Sequence, residues 1–124
     1  SPAVNDPGTA IAVIGAQVRL LTKWADSARE EREILYARLE APELRPEDLL
    51  EDAFSPTSRD GAAMFEVGNR LQKAFLAIRS LGHRELAEAA VLHSGLALEQ
   101  ALAKLPTEYH RRRMQETANL VPLD

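Results

Sequence analysis

The chain has no cysteine among its 124 residues. It can therefore form no disulfide and do no thiolate chemistry, and the absence fits a reducing compartment. Aromatic residues are scarce, with three Phe, two Tyr and one Trp. Long apolar runs are missing as well. The longest is Ala10 to Ala16, followed by Gln17, Val18 and Arg19, and a membrane helix needs ~20 apolar residues. No basic stretch precedes that run, so the run itself is not expected to be a signal peptide. Positive charge is not in excess: 15 basic against 19 acidic residues leave a net charge of −4. No global field then draws in nucleic acid. Six glycines are scattered, with no two within three residues of each other, so there is no phosphate-cradling loop. There is no Gly-x-Ser-x-Gly. The nearest match is His93-Ser94-Gly95, placed mid-helix where a serine bonds back to its own backbone.

What remains is an ordinary globular composition, 45% apolar and 27% charged, in a length that suits one domain with one core. Abundant Ala and Leu favour helices packed through small and aliphatic side chains. Ile11, Ile14, Val18, Leu21 and Ala25 recur at helical spacing from Pro7 to about Trp24. Ala10, Ala12, Val13, Ala16 and Leu20 add a second apolar face to that first helix. A helix apolar on two faces is expected to be buried on both, by its own chain or by a second copy. Ile34 to Leu39, bounded by Pro42 and Pro46, stays open between a short strand and an extended crossing segment. Pro46 opens a short helix to about Phe54, with acids in its first turn. Ser55-Pro56-Thr57-Ser58 reads as a turn. A long helix is expected from Ser58 or Arg59 to Leu81, with Met64, Gly68, Leu71, Phe75 and Ile78 as its stripe and Gly82 closing it. Another should span His83 to Leu105 on Leu86, Ala90, Val91, Leu98, Leu102 and Leu105. Pro106 begins a last short helix to about Ala118.

These elements predict an all-α fold: an antiparallel bundle of three long helices with one or two short accessory helices. The whole chain, residues 1 to 124, is expected to form one helical domain. The two helices joined at Gly82 should form a hairpin, with the first helix in its groove. Gly15, Gly68 and Gly95 fall inside helices, where each costs ~1 kcal/mol relative to Ala. Close helix–helix approach is the expected compensation, so all three are predicted to face other helices.

Candidate chemistry is sparse. His83, His93 and His110 lack the spacing of helical metal ligands, so no metal and no cofactor are expected. His83 reads as a helix cap and His93 as a partly buried packing residue. Glu47, Asp48, Glu51 and Asp52 read as a solvated acidic face, favourable to the helix dipole. Arg111, Arg112 and Arg113 form the one basic patch. They are a candidate for anionic lipid headgroups, set against solvated arginines paired with acids.

The opening Ser1-Pro2-Ala3-Val4-Asn5-Asp6-Pro7-Gly8-Thr9 is a helix start written in full. Asp6 caps, Pro7 takes the first helical position, and Asn5 makes a local turn. The competing functional reading makes Asn5, Asp6 and Thr9 a ligand site at a helix N-terminus, although a capping carboxylate there repels anions. A helix that starts with so little lead-in predicts a piece of something larger. The block Ser1 to Ala10 also resembles the start of the C-terminal region of a bacterial membrane-protein family, domain of unknown function twenty-two fifty-four. A later segment like Leu49-Leu50-Glu51-Asp52-Ala53-Phe54, followed by two further helices, extends that resemblance over most of the chain. The resemblance brings no catalytic residues. It implies the soluble portion of an integral membrane protein, attached through segments absent from this chain. The inner membrane, with the domain on its cytoplasmic side, is the expected location, although the resemblance does not fix the side.

The leading expectation is a non-enzymatic interaction or assembly domain, paired as a homodimer through Ile11, Val13, Ile14 and Val18, without nucleic acid. A ligand-binding or regulatory bundle with its site at Asn5, Asp6 and Thr9 is the alternative. An enzyme comes third.

Overall fold

A computed structural model describes residues 7–26, 46–60 and 64–122 of the chain. Among them are five helices and no strand: α1 (Pro7–Asp26), α2 (Pro46–Asp60), α3 (Phe65–Arg79), α4 (Arg84–Lys104) and α5 (Glu108–Ala118). The all-α expectation is met. Ile34 to Leu39 lies outside the described residues, as do Asn5 and Asp6.

The centre is α3 packed along α4, joined by a short turn. Leu81 N–H donates to the Ile78 carbonyl, and Gly82 sits at φ +82°, a backbone that L side chains rarely adopt. His83 then caps α4, its Nδ1 accepting from the Leu86 N–H at 3.3 Å, as the sequence suggests. Val67, Leu71, Phe75 and Ile78 of α3 are buried against Leu86, Ala89, Ala90 and Ala97 of α4. The α4 stripe departs from expectation here. Val91 is exposed, and the buried face is mostly Ala and Ser. Small side chains let a neighbouring helix come close, so the crowded face takes them and the bulkier Val91 turns outward.

Within this seam lies a polar pair. Gln72 Nε2 donates to the Ser94 carbonyl at 3.0 Å, and Ser94 Oγ donates back to Gln72 Oε1. Both side chains are buried. Each satisfies the other, so the desolvation cost of ~1–3 kcal/mol for an unpaired buried polar group does not arise.

The other helices flank this hairpin. α1 rests on α3 rather than in the groove between α3 and α4, burying Ala10, Ile14 and Leu21 with Val18, Trp24 and Ala25 beside them. α2 packs chiefly on α4. It runs through Pro56, where the sequence reads as a turn. The reason is tertiary. Leu50, Phe54 and Ser58 recur every four residues on one buried face, and Ser58 Oγ bonds Gln100 of α4. Keeping that face outweighs the one backbone bond a helical proline removes. α3 consequently starts at Phe65, with Met64 as its N-cap, and not near Ser58. α5 closes one end against α3 and α4. There Met114 seats over Gly68, where an added Cβ would meet Met114 Cε at 2.6 Å. Gly68 is thus at a helix contact as expected. Gly15 and Gly95 are not: a Cβ on Gly15 would meet only Arg19 of its own helix, and one on Gly95 nothing within 4 Å.

Candidate functional site

α2 faces a hollow on each side, and its own periodicity separates them. Leu49 and Ala53 turn toward α1. Glu51, Ser55, Ser58 and Arg59 turn toward α4.

The hollow toward α1 is apolar, about 270 Å³, lined by Leu20, Leu21, Trp24, Leu49 and Ala53 with Gln17. Beside it the outer face of α1 stays bare. Val13 is 40% exposed and Leu20 is 68% exposed, seven residues apart. Ile14, by contrast, is closed into the chain's own core at 0% exposure. Ile11 and Val18 are half-buried, and Val18 packs on the core. Of the four residues expected at an interface, Val13 is the one that is exposed. Leu20, Trp24 and Leu49 complete that surface. Leu20 was visible as part of a second apolar face; Leu49, from another helix, carried no signal in sequence.

The hollow toward α4 is a cleft of about 490 Å³ between α2 and α4, within the ~300–1,000 Å³ range of small-molecule sites. His93, Leu96, Ala97, Gln100 and Ala103 come from one face of α4, at helical spacing. Phe54 and Phe75 form apolar wall, and their rings meet edge to face with centroids 5.4 Å apart. Glu51, Arg59 and Glu99 bring charge to the lining. His93 is 7% exposed, and its Nε2 is buried with no hydrogen-bond partner among the described residues. Neutral imidazole nitrogen either donates or accepts, so this atom is an unmet polar demand in the cleft wall. No ion pair joins His93 to a carboxylate among the described residues. The arrangement therefore holds a hydrogen-bonding group ready without the paired acid and base that proton transfer needs. The packing role expected of His93 holds for its burial but leaves Nε2 unaccounted for.

The other candidates are placed less favourably for chemistry. Thr9 is exposed in the first turn of α1, while its expected companions Asn5 and Asp6 lie outside the described residues. Asp48, Glu51 and Asp52 are exposed, as a solvated acidic face would be. Arg111 Nη1 donates to the Leu105 carbonyl at 2.7 Å. Arg112 lies 3.9 Å from Glu108, and Arg113 lies 3.9 Å from Glu116 and donates to Tyr109 Oη. Each arginine thus has a partner in this chain. His110 stacks on Phe65, with centroids 4.6 Å apart.

Comparison with known proteins gives one finding. The model of a family described as "Predicted membrane protein (DUF2254)" matches residues 1–77. No curated protein and no solved structure matches the chain. Among the described residues, no helix is long and apolar enough to cross a membrane.

Proposed function

The chain belongs to the family of predicted membrane proteins whose model matches residues 1–77, and from that premise we propose a soluble, non-enzymatic assembly domain of a bacterial integral membrane protein. In this reading it pairs with a second copy of itself through the outer face of α1. The membrane-spanning segments lie outside these 124 residues, and the domain faces the cytoplasm, which the lack of cysteine fits. In this reading α1, α3 and α4 form its bundle, α3 being no longer than α2, and the short turn between α3 and α4 supports an antiparallel arrangement for those two.

The observation that carries the proposal is a knob and a hole on one surface. Leu20 projects at 68% exposure beside the apolar hollow lined by Leu21, Trp24, Leu49 and Ala53. A two-fold interface requires such self-complementarity, because the same patch must serve both partners. Residues 7–18 carry no ionisable side chain, whereas Arg19 and Lys23 flank Leu20, so pairing must hold those like charges apart. Burying Leu20 alone supplies about 1.5–3 kcal/mol of transfer free energy per protomer if it becomes fully covered.

Sedimentation equilibrium across a ~100-fold concentration range tests this through mass action. The chain should shift from one to two protomers, and Leu20→Glu should hold it as a monomer with an unchanged circular dichroism spectrum. A wild-type chain that stays monomeric throughout would remove the reading.

A further inference from the structure

The cleft between α2 and α4 is a separate matter from pairing through α1, which contributes no residue to it. We propose that it binds a small amphiphile with an apolar body and an uncharged hydrogen-bonding head, the head bonded to His93 Nε2.

Three observations converge on that chemistry. The first is the polar atom. His93 is 93% buried by the complement of its 7% exposure, and Nε2 has no partner among the described residues. Its neighbour Ser94 is buried too, yet is bonded to Gln72 through both its hydroxyl and its carbonyl. A ligand hydroxyl or N–H meets the demand of an imidazole nitrogen. The second is the wall. Phe54, Phe75, Leu96 and Ala97 line the cleft, and Leu96 is 46% exposed. An apolar ligand body would cover it and gain about 25 cal/mol for each Å² removed from water. The third is charge. Glu51 and Glu99 set two carboxylates against the single guanidinium of Arg59, which disfavours an anionic head relative to a neutral one.

The size agrees. A cleft of about 490 Å³ holds a compact organic molecule, not a peptide or a full lipid. Ser58 and Gln100 are already bonded to each other on the lining, which leaves His93 Nε2 as the buried polar atom of this lining without a partner among the described residues.

The probe is N-phenylnaphthylamine, an uncharged aromatic amine with one N–H that fluoresces in apolar surroundings. Titration into the full chain should show saturable binding of one molecule per protomer, with dissociation in the micromolar range. Binding should move the His93 imidazole nitrogen resonances. Ala103→Trp places a ring at the exposed edge of the lining and should weaken binding more than tenfold, while the melting curve stays that of the wild type. His93→Phe keeps the ring volume and loses the nitrogen, and should weaken binding roughly three- to tenfold, the span of one ordinary hydrogen bond. Anilinonaphthalene sulfonate, the related scaffold with an anionic group, should bind several-fold less tightly.

Absence of binding overturns the proposal. So does affinity unchanged by Ala103→Trp, affinity unchanged by His93→Phe, or tighter binding of the sulfonate. Loss of binding in Leu20→Glu alone would place the probe in the α1 hollow and would also overturn it. Sedimentation of the same samples reads the pairing through α1 independently, so failure of either proposal is visible without the other.

Discussion

His93, Ser94 and Gly95 are consecutive on α4, and a helix turns each about 100° from the last. They therefore sample three different regions of the molecule. Ser94 enters the seam with α3, where Gln72 matches both its hydroxyl and its carbonyl. His93 enters the wall of the cleft with α2, where nothing described meets Nε2. Gly95 faces open space. The seam satisfies Gln72 and Ser94 within the chain, and the cleft satisfies Ser58 and Gln100 but not His93 Nε2. That difference separates architecture from a candidate site. A fold that can pair Gln72 with Ser94 is capable of sealing a polar residue, so the unmet nitrogen one position earlier asks for another partner.

The largest expected effect tests whether the cleft is built into the core. Phe54 is 1% exposed, lines the cleft, and packs edge to face on Phe75. Phe54→Ala should cost ~3–5 kcal/mol in urea denaturation, as large-to-small changes of buried aromatics do. A loss below ~1 kcal/mol would mean that the cleft wall is loosely held, and the contrast with the seam would collapse. Gly68→Leu probes the end of the central packing, where even a Cβ would come within 2.6 Å of Met114 Cε. Overpacking of this kind costs ~1–3 kcal/mol. Unchanged thermal stability would show that Met114, 0% exposed, can nevertheless move aside.

Ser94→Ala against His93→Phe sharpens the comparison directly. Ser94→Ala strands Gln72 Oε1 without its donor and should cost ~1–3 kcal/mol. Adding Gln72→Leu should recover part of that loss, because the stranded group goes too. His93→Phe removes no internal bond from Nε2 and keeps a ring of similar volume, so it should change stability by less than ~1.5 kcal/mol. If the histidine substitution proves the more costly of the two, Nε2 is paired within the chain and the site loses its basis.

How much of this could be read beforehand depends on whether the cause was local. Pro7 at the first position of α1 and His83 as the cap of α4 were legible, because caps and first turns are set by a few neighbouring residues. The family was legible in the block Ser1 to Ala10, and the matching family model spans residues 1–77. The course of α2 through Pro56 was not. Local preference there favours a turn, and the helix survives because Leu50 is buried, Phe54 packs on Phe75 of α3 and Ser58 bonds Gln100 of α4, contacts no window of sequence contains. The stripe of α4 was legible at Leu86, Ala90 and Leu105, which are buried, and missed at Val91, which is exposed; Val91 and Ala90 fit an apolar stripe equally well, and the crowding by α3 decides between them. His93 was legible as buried, yet its lack of a partner belongs to the space between two helices far apart in sequence.

Gly95→Ala carries the smallest expected effect and isolates the third direction. Three internal glycines suggested three close approaches, on the ground that each helical glycine needs compensation. Gly68 has one; Gly95 does not, since a Cβ there meets nothing within 4 Å. Alanine at that position relieves the backbone entropy that glycine loses on folding and strains nothing, so it should stabilise the chain by ~0.5–1 kcal/mol. A rise in urea midpoint at constant slope is the expected readout. A fall would mean that another surface closes on this side of α4, next to exposed Leu92 and Leu96. If the fall appears only at protein concentrations that favour self-association, the covering surface belongs to a second copy. The pairing face would then have to be sought on α4 instead of α1, because Gly95 and Leu20 lie on helices that make little contact with each other.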